Sequence, residues 1–453
     1  MAVASEQQLV ERIWERDPTV WTGTDEDKWL GWLDEPKRMQ ERVDELDQFA
    51  AAARSEFTTF VLLGMGGSSL APEVLKRTFG VKGLHVLDTT HPAMIRHSLE
   101  FLDLRKTMFI VSSKSGTTLE TLSHLNFFWE QTGGNSRQFI AITDPGSPLE
   151  GQARQRDFRA SFAGEPTIGG RYSALSPFGI VPAALMAIGI APVLEGAVRM
   201  ADACRGDASP GLELGLRLGE NWRVGRDKVC LTDTGGNFGL WAEQLIAEST
   251  GKHGRGLVPA PGESADGPDR QAGEVQVPEP SAIGAEFFRW EFAVAVAGTI
   301  LEVNVFDQPD VQAAKDKTQE VLASGEDPSL EPEGSLDELL AHAQPPCYVA
   351  IQAFIDPMRE GELEPLIERA REETGCVVTH GLGPRYLHST GQLHKGGPNT
   401  GLFVQVVDDP GEEVAIPGKK FGFRRLIRAQ AAGDFASLEE RDRRIVRVRL
   451  EEI

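Results

Sequence analysis

Between Phe57 and Gly146 the chain repeats one pattern, a short apolar run that ends in small or polar residues. TTFVLLGMGG, KGLHVLDTTH, KTMFIVSSKSG and RQFIAITDPG each place strand formers before Gly, Ser, Thr or Asp, with helical periodicity between them. Runs that are apolar throughout, rather than alternating, are the mark of strands covered on both faces, and with intervening helices they predict a parallel sheet. A long apolar helix beginning after Pro177 closes the series near Gly189.

A second series begins with a helical stretch at 191–222 and continues through DKVCLTDTGG, GRGLVPA, CYVAIQAF, GCVVTHGLG and TGLFVQVVDD. The reading is therefore α/β, with two halves over 56–190 and 191–410, preceded by a helical preface at 1–55 and followed by an arm at 411–453. Trp14, Trp21, Trp29 and Trp32 crowd the preface, where large amphipathic rings serve best as anchors against the main body. The polar stretch from Pro259 to Pro280 and the acidic one from Gly325 to Glu333 read as surface loops. The Arg-rich end, FRRLIRAQ then ERDRRIVRVRL, carries interleaved acids and predicts a helix and an edge strand rather than a nucleic-acid arm.

Charge narrows the partners. Against 68 Asp and Glu stand 46 Lys and Arg, a formal charge of -22, which argues against a broad polyanion-binding surface but allows a nest for one small anion. Cys204, Cys230, Cys347 and Cys376 form no CxxC pair, so neither a disulfide scaffold nor a cysteine-rich zinc site is expected. No three-histidine cluster or HExxH signature points to a metal. The apolar run at 178–194 is broken by Gly and Pro, and the first residues lack the basic-then-apolar order of a secretory leader; the expectation is a cytoplasmic protein off the membrane.

Ligands of parallel sheets bind beyond the carboxyl ends of the strands. In the first such loop, Gly64, Gly66 and Gly67 followed by Asp88 imitate a dinucleotide fingerprint, but Ser69 stands where the third glycine belongs. In the loop after FIVS, Ser113, Lys114, Ser115, Thr117 and Thr118 bring hydroxyls and a cation to a strand end. Thr117 to Glu120 has the spacing of a capping box. An anion cradle for a phosphate monoester is one reading, and a turn satisfying its own backbone is the other. Gln244 and Glu248 share one helix face, with Glu243 offset toward solvent, so Glu248 is a candidate acid-base group. His388 and His394 lie in the glycine-rich GPRYLHSTGQLHKGG and are candidates for a ligand role; His253 reads as a helix cap.

Four segments, in order, resemble the glucose-6-phosphate isomerase family: SSKSGTTLET, IGGRYSALSPFGIVPAAL, QLIAESTGK and GTILEVNVFDQPDVQAAK. The preface and HSTGQLHKGGPNTGLF further resemble the isomerase portion of bacterial transaldolase fusions, and a functional link to a transaldolase follows from that likeness. The resemblance implies two sugar-isomerase (SIS) type domains, each a mainly parallel sheet flanked by helices in three α-β-α layers. It also implies interconversion of glucose 6-phosphate and fructose 6-phosphate without a cofactor. Carried over, Ser113, Ser115 and Thr118 hold the phosphate while Lys114 and Thr117 shape the loop. Gly67 and Ser68 line the sugar, and Arg171 lies beside the developing enediolate. Glu248 shuttles the proton, Gln244 sits one turn earlier, and Lys315 helps open the ring. The family's GQHxFxxxxHQG segment has no counterpart between Glu248 and the last signature, where Asp310, Gln312 and Ala314 also depart from the pattern. His394, from STGQLH, is assigned the ring-opening role, with His388 as the alternative. The family's histidine comes from a neighbouring subunit, which implies a homodimer; a monomer stays open.

Overall fold

The computed structural model describes residues 6–206, 208–232 and 237–453. It is an α/β structure of parallel sheets flanked by helices. The first sheet holds β1 (Thr59–Leu63), β2 (Leu84–Leu87), β3 (Thr107–Ser112), β4 (Phe139–Thr143) and β5 (Ala160–Ala163), all parallel, in the order β2-β1-β3-β4-β5. Strands β3 and β4 are buried at every position, which explains their continuous apolar runs. In this order the chain leaves β1 toward β2 and returns to β1's other side as β3. The carboxyl ends of β1 and β3 thus flank the switch point, where open parallel sheets bind ligands.

Two further parallel sheets follow. One has β6 (Lys228–Thr232), β7 (Val258–Pro261) and β8 (Arg270–Glu274) in the order β7-β6-β8. The other has β9 (Tyr348–Phe354), β10 (Val377–Leu382), β11 (Gly401–Val407) and β12 (Arg444–Arg449) in the order β10-β9-β11-β12. Edge strands β7 and β10 lie together, and Val258, Ala260, Tyr348 and Val377 share an apolar cluster. The end of the run DKVCLTDTGG, residues 233–236, lies outside the described residues.

The helix Ile283–Leu301 is buried nearly all round and forms the spine of the largest apolar cluster, which also takes in the preface. Three of the four tryptophans anchor as expected. Trp14 Nε1 donates to Cys204 O at 3.2 Å, Trp21 Nε1 donates to Ala295 O at 2.7 Å, and Trp32 packs on Tyr172 and Phe288. Trp29, partly buried against the same apolar cluster, also lines a cavity. The end of the chain forms the helix Phe423–Glu439 and the edge strand β12.

The stretch from Pro259 to Pro280 is not the surface loop its polarity predicts. It contains β8, where Arg270 and Gln271 are buried, and Gln271 Nε2 donates to Leu218 O and Arg226 O at 3.3 and 2.6 Å. Polar side chains sit inside because backbone carbonyls pair them. No described helix is long and apolar enough to cross a membrane.

Candidate active site

The loop after β3 is tied to β4 by Ser113 N–H donating to Ile142 O at 3.0 Å. Gly116 makes the turn at φ 67°, and a Cβ there would stand 2.7 Å from Leu149 N. The hydroxyls pair among themselves, Ser113 with Thr118 and Ser115 with Thr117, each at 2.9 Å. Lys114 reaches the carboxylate of Asp144, at the end of β4. Thr118 is the N-cap of the helix Leu119–Gln131 and makes no side-chain capping bond, so the capping box does not form. Glu120 turns away instead, accepting from Gln430 Nε2 at 2.7 Å and pairing with His388 Nε2 at 3.0 Å. Burial alone would raise the Glu120 carboxyl, but the charge and hydrogen bond of His388, together with a backbone hydrogen bond and the charge of Lys315, outweigh it and hold the group down at about 2.

The turn Gly66–Ser68 after β1 faces this loop. Gly66 has φ 54°, and a Cβ on Gly67 would stand 1.9 Å from Gly170 O. Only glycine lets the turn lie against the segment that carries Arg171.

Across the cleft, the helix Gly239–Thr250 presents Gln244 and Glu248 on one face, both buried. Gln244 Nε2 donates to His388 O at 2.9 Å and to Glu248 Oε2 at 3.4 Å. Arg171 Nη1 donates to the same Oε2 at 3.3 Å. Its Nε and Nη2 N–H groups are spent on Ser249 Oγ and on the carbonyls of Val305 and Asp307. Burial raises the Glu248 carboxyl above its usual range, and Arg171 opposes that rise without cancelling it. Lys252, fully buried, donates to Asn304 O and Asp307 O at 2.6 and 2.7 Å and to Asp307 Oδ1 at 2.6 Å, so it fixes the backbone that Arg171 also grips. Burial brings its ammonium down to about 8.

These elements enclose a cavity of about 360 Å³. Gly67, Ser68, Lys114, Ser115, Thr118, Gln244, Glu248, Lys315 and His388 all line it. An adjoining cavity of about 290 Å³ takes in Thr117 and Glu120 and shares Ser115, Thr118, Lys315 and His388 with the first. Ser113 and Arg171 are not brought to the walls; Ser113 lies behind Thr118 and Arg171 behind Glu248. His394 lines neither cavity. It is buried among Tyr348, Tyr386 and Phe403, with Nδ1 3.2 Å from Tyr348 Oη, and burial drives its imidazole down to about 3. The aromatic nest, and not the cleft, accounts for its place in the loop. Glu243, expected in solvent, is half-buried, and burial raises it to about 8. Asp88 pairs with Arg385 at 2.7 and 3.0 Å rather than standing free for a ribose.

Sequence reasoning missed Glu120, in the adjoining cavity, and Asp144 and Gln308, in the first. The signals for the last two are the position of Asp144 at the end of an apolar run and of Gln308 within GTILEVNVFDQPDVQAAK. The capping-box spacing from Thr117 to Glu120 gives Glu120 a backbone role and hides its place beside His388.

Residues 24–208 match the family model described as phosphoglucose isomerase. Glucose-6-phosphate isomerase of Carboxydothermus hydrogenoformans is 33% identical over 252 residues, 49% of this chain and 53% of that protein. Glucose-6-phosphate isomerase of Thermus thermophilus is 37% identical over 177 residues, 37% of this chain and 42% of that protein. The chain thus spans about half the length of the curated relatives it matches. Among solved structures, a glucose-6-phosphate isomerase from Chlamydia trachomatis aligns with TM-score 0.57 at 18% identity, over 70% of this chain and 84% of that one. A hypothetical protein from Thermus thermophilus aligns with TM-score 0.51 at 22% identity, over 98% and 83%. Both share the fold.

Proposed function

We propose that this chain, a relative of the phosphoglucose isomerases through residues 24–208, interconverts glucose 6-phosphate and fructose 6-phosphate. The observation that carries this reading is one cavity holding a buried carboxylate opposite a hydroxyl-rich strand-end loop, with a histidine and a lysine between them. Each part answers a need of aldose-ketose exchange. A phosphate on carbon 6 suits Ser115, Thr118 and the uncapped first turn of the helix Leu119–Gln131, whose N–H groups and dipole favour an anion. That grip, remote from the reacting carbons, supplies the binding energy that orients them.

Glu248 is the base that takes the proton from one of carbons 1 and 2 and returns it to the other. With Arg171 and Gln244 holding Oε2, Oε1 is left to do the transfer. The guanidinium behind Glu248 also lowers the energy of the negative enediolate. Ring opening falls to His388, which lies in the cavity and is steadied by Glu120, with Lys315 beside it. The role passes to it from His394. His388 and Glu248 belong to one chain, so the proposed base and ring opener meet without a residue from a second subunit.

The test is conversion of fructose 6-phosphate to glucose 6-phosphate by the purified protein, beside unphosphorylated fructose. Turnover of the phosphate ester alone supports the reading. A folded protein that binds fructose 6-phosphate without converting it points to a non-catalytic phosphosugar module. Turnover of a different phosphosugar only would move the substrate and keep the chemistry.

A further inference from the structure

Two of the cysteines stand together at one edge of the last sheet. Strands β9 and β10 are parallel neighbours, with Tyr348 opposite Val377 and Val349 opposite Val378. Cys347 and Cys376 each precede that register by one residue, so they enter adjacent strands side by side. Side chains alternate along a strand, and the packing agrees. Tyr348 and Val377 pack on one face, while Cys347, Cys376, Val349 and Val378 pack together on the other. Register partners on neighbouring strands lie about 4.8 Å apart, inside the span of about 4.4–6.8 Å between the Cα atoms of a disulfide.

The two thiols, both free here, differ in setting. Cys347 is half-exposed, and Arg444 on β12 directs Nη2 to its Sγ at 3.5 Å. That contact leaves the sulfur reachable from solvent beside a donor N–H. Cys376 is fully buried, and burial keeps its proton on. One thiol is therefore placed to meet an oxidant, and the other to meet only the first.

We propose that Cys347 and Cys376 are an oxidisable pair that closes to a disulfide across β9 and β10 when a hydroperoxide attacks from solvent. With hydrogen peroxide, Cys347 gives up its thiol proton and its sulfur attacks one peroxide oxygen; the S–O bond forms as the O–O bond breaks, and the departing hydroxide takes up that proton as water. Cys376 then attacks the sulfenic sulfur, giving its proton to the departing hydroxide, so S–S forms as S–O breaks. Two thiols and one peroxide become one disulfide and two waters. The pair lies at the amino-terminal ends of its strands, outside the residues that line the cleft.

The experiment exposes the full chain to hydrogen peroxide, alkylates it in denaturant and maps its peptides without reductant. The expected result is a linked peptide joining Cys347 to Cys376, two hydrogen masses lighter than its reduced halves and released by dithiothreitol, with Cys204 and Cys230 still alkylated. Cys376→Ser is expected to leave Cys347 as a sulfenic acid that dimedone traps, and Cys347→Ser to leave Cys376 reduced. A wild-type chain, folded by circular dichroism, in which Cys347 oxidises further or links two chains while Cys376 stays alkylated overturns the proposal. So does a chain in which neither cysteine reacts.

Discussion

Glu248 sits between two opposed influences. Burial pushes its proton affinity up and Arg171 pulls it down, and burial wins. A base tuned upward from the ordinary range of about 4.3 is better matched to proton transfer near neutrality. Replacing Glu248 by Gln keeps shape and hydrogen bonding but removes the proton acceptor. The expected loss in kcat is about 10²–10⁴-fold, with KM for fructose 6-phosphate little changed, read from steady-state kinetics. If Glu248 is the base as proposed, the acid limb of kcat/KM reports the same carboxyl, because proton transfer needs it ionised. Arg171→Met, which deletes the group that lowers it, is expected to move that limb to higher pH, while Arg171→Lys moves it less. A limb that stays put in both variants would assign it to another group.

At the scale of elements, the cleft depends on close approach of two turns. Gly67→Ala would place a methyl group 1.9 Å from Gly170 O, so the turns must part. Displacement of about 1 Å can cost roughly 10²-fold in rate, and a loss of that order in kcat/KM with the fold retained is expected. Elsewhere the helix Ile283–Leu301 carries Glu291, buried with Oε1 lacking a hydrogen-bond partner among the described residues, and near Glu35. Burial raises the Glu35 carboxyl from 4.5 to about 7. A raised folded-state value means that this group's contribution to stability is full below about 4.5 and is lost as pH rises through 7. That is on the order of 3 kcal/mol across the window. Denaturant unfolding from pH 5 to 8 should show the decline, and Glu35→Gln should flatten it.

The same elements show what was legible beforehand. The apolar runs of β1, β3 and β4 are continuous because both faces are covered, and that pattern is local, so the sheet and its loops could be read from the chain. Strand β8 could not, because Arg270 and Gln271 look like loop residues until the distant carbonyls that pair them are in place. In sequence, the likeness of STGQLH to the family's histidine segment puts His394 ahead of His388. The contacts of His394 with Tyr348 and Phe403, and of His388 with Glu120, separate them in space.

At the scale of the molecule, the cleft is framed by segments distant in the sequence. The turn after β1, the loop after β3, the helix Gly239–Thr250 and the His388 segment all meet within one chain. Activity should therefore survive dilution to a monomer, followed by light scattering alongside the assay. Glu248→Gln mixed with His388→Ala should regain nothing beyond the sum of the two; recovery on mixing would mean that the histidine crosses between subunits. The central claim is that Glu248 moves the proton between carbons 1 and 2. Its most direct test is to run fructose 6-phosphate with the protein in D₂O and follow deuterium at carbon 2 of the product by NMR. The account predicts isomerisation with partial deuterium uptake in the wild type and loss of both in Glu248→Gln. Undiminished isomerisation and exchange in that variant would contradict it.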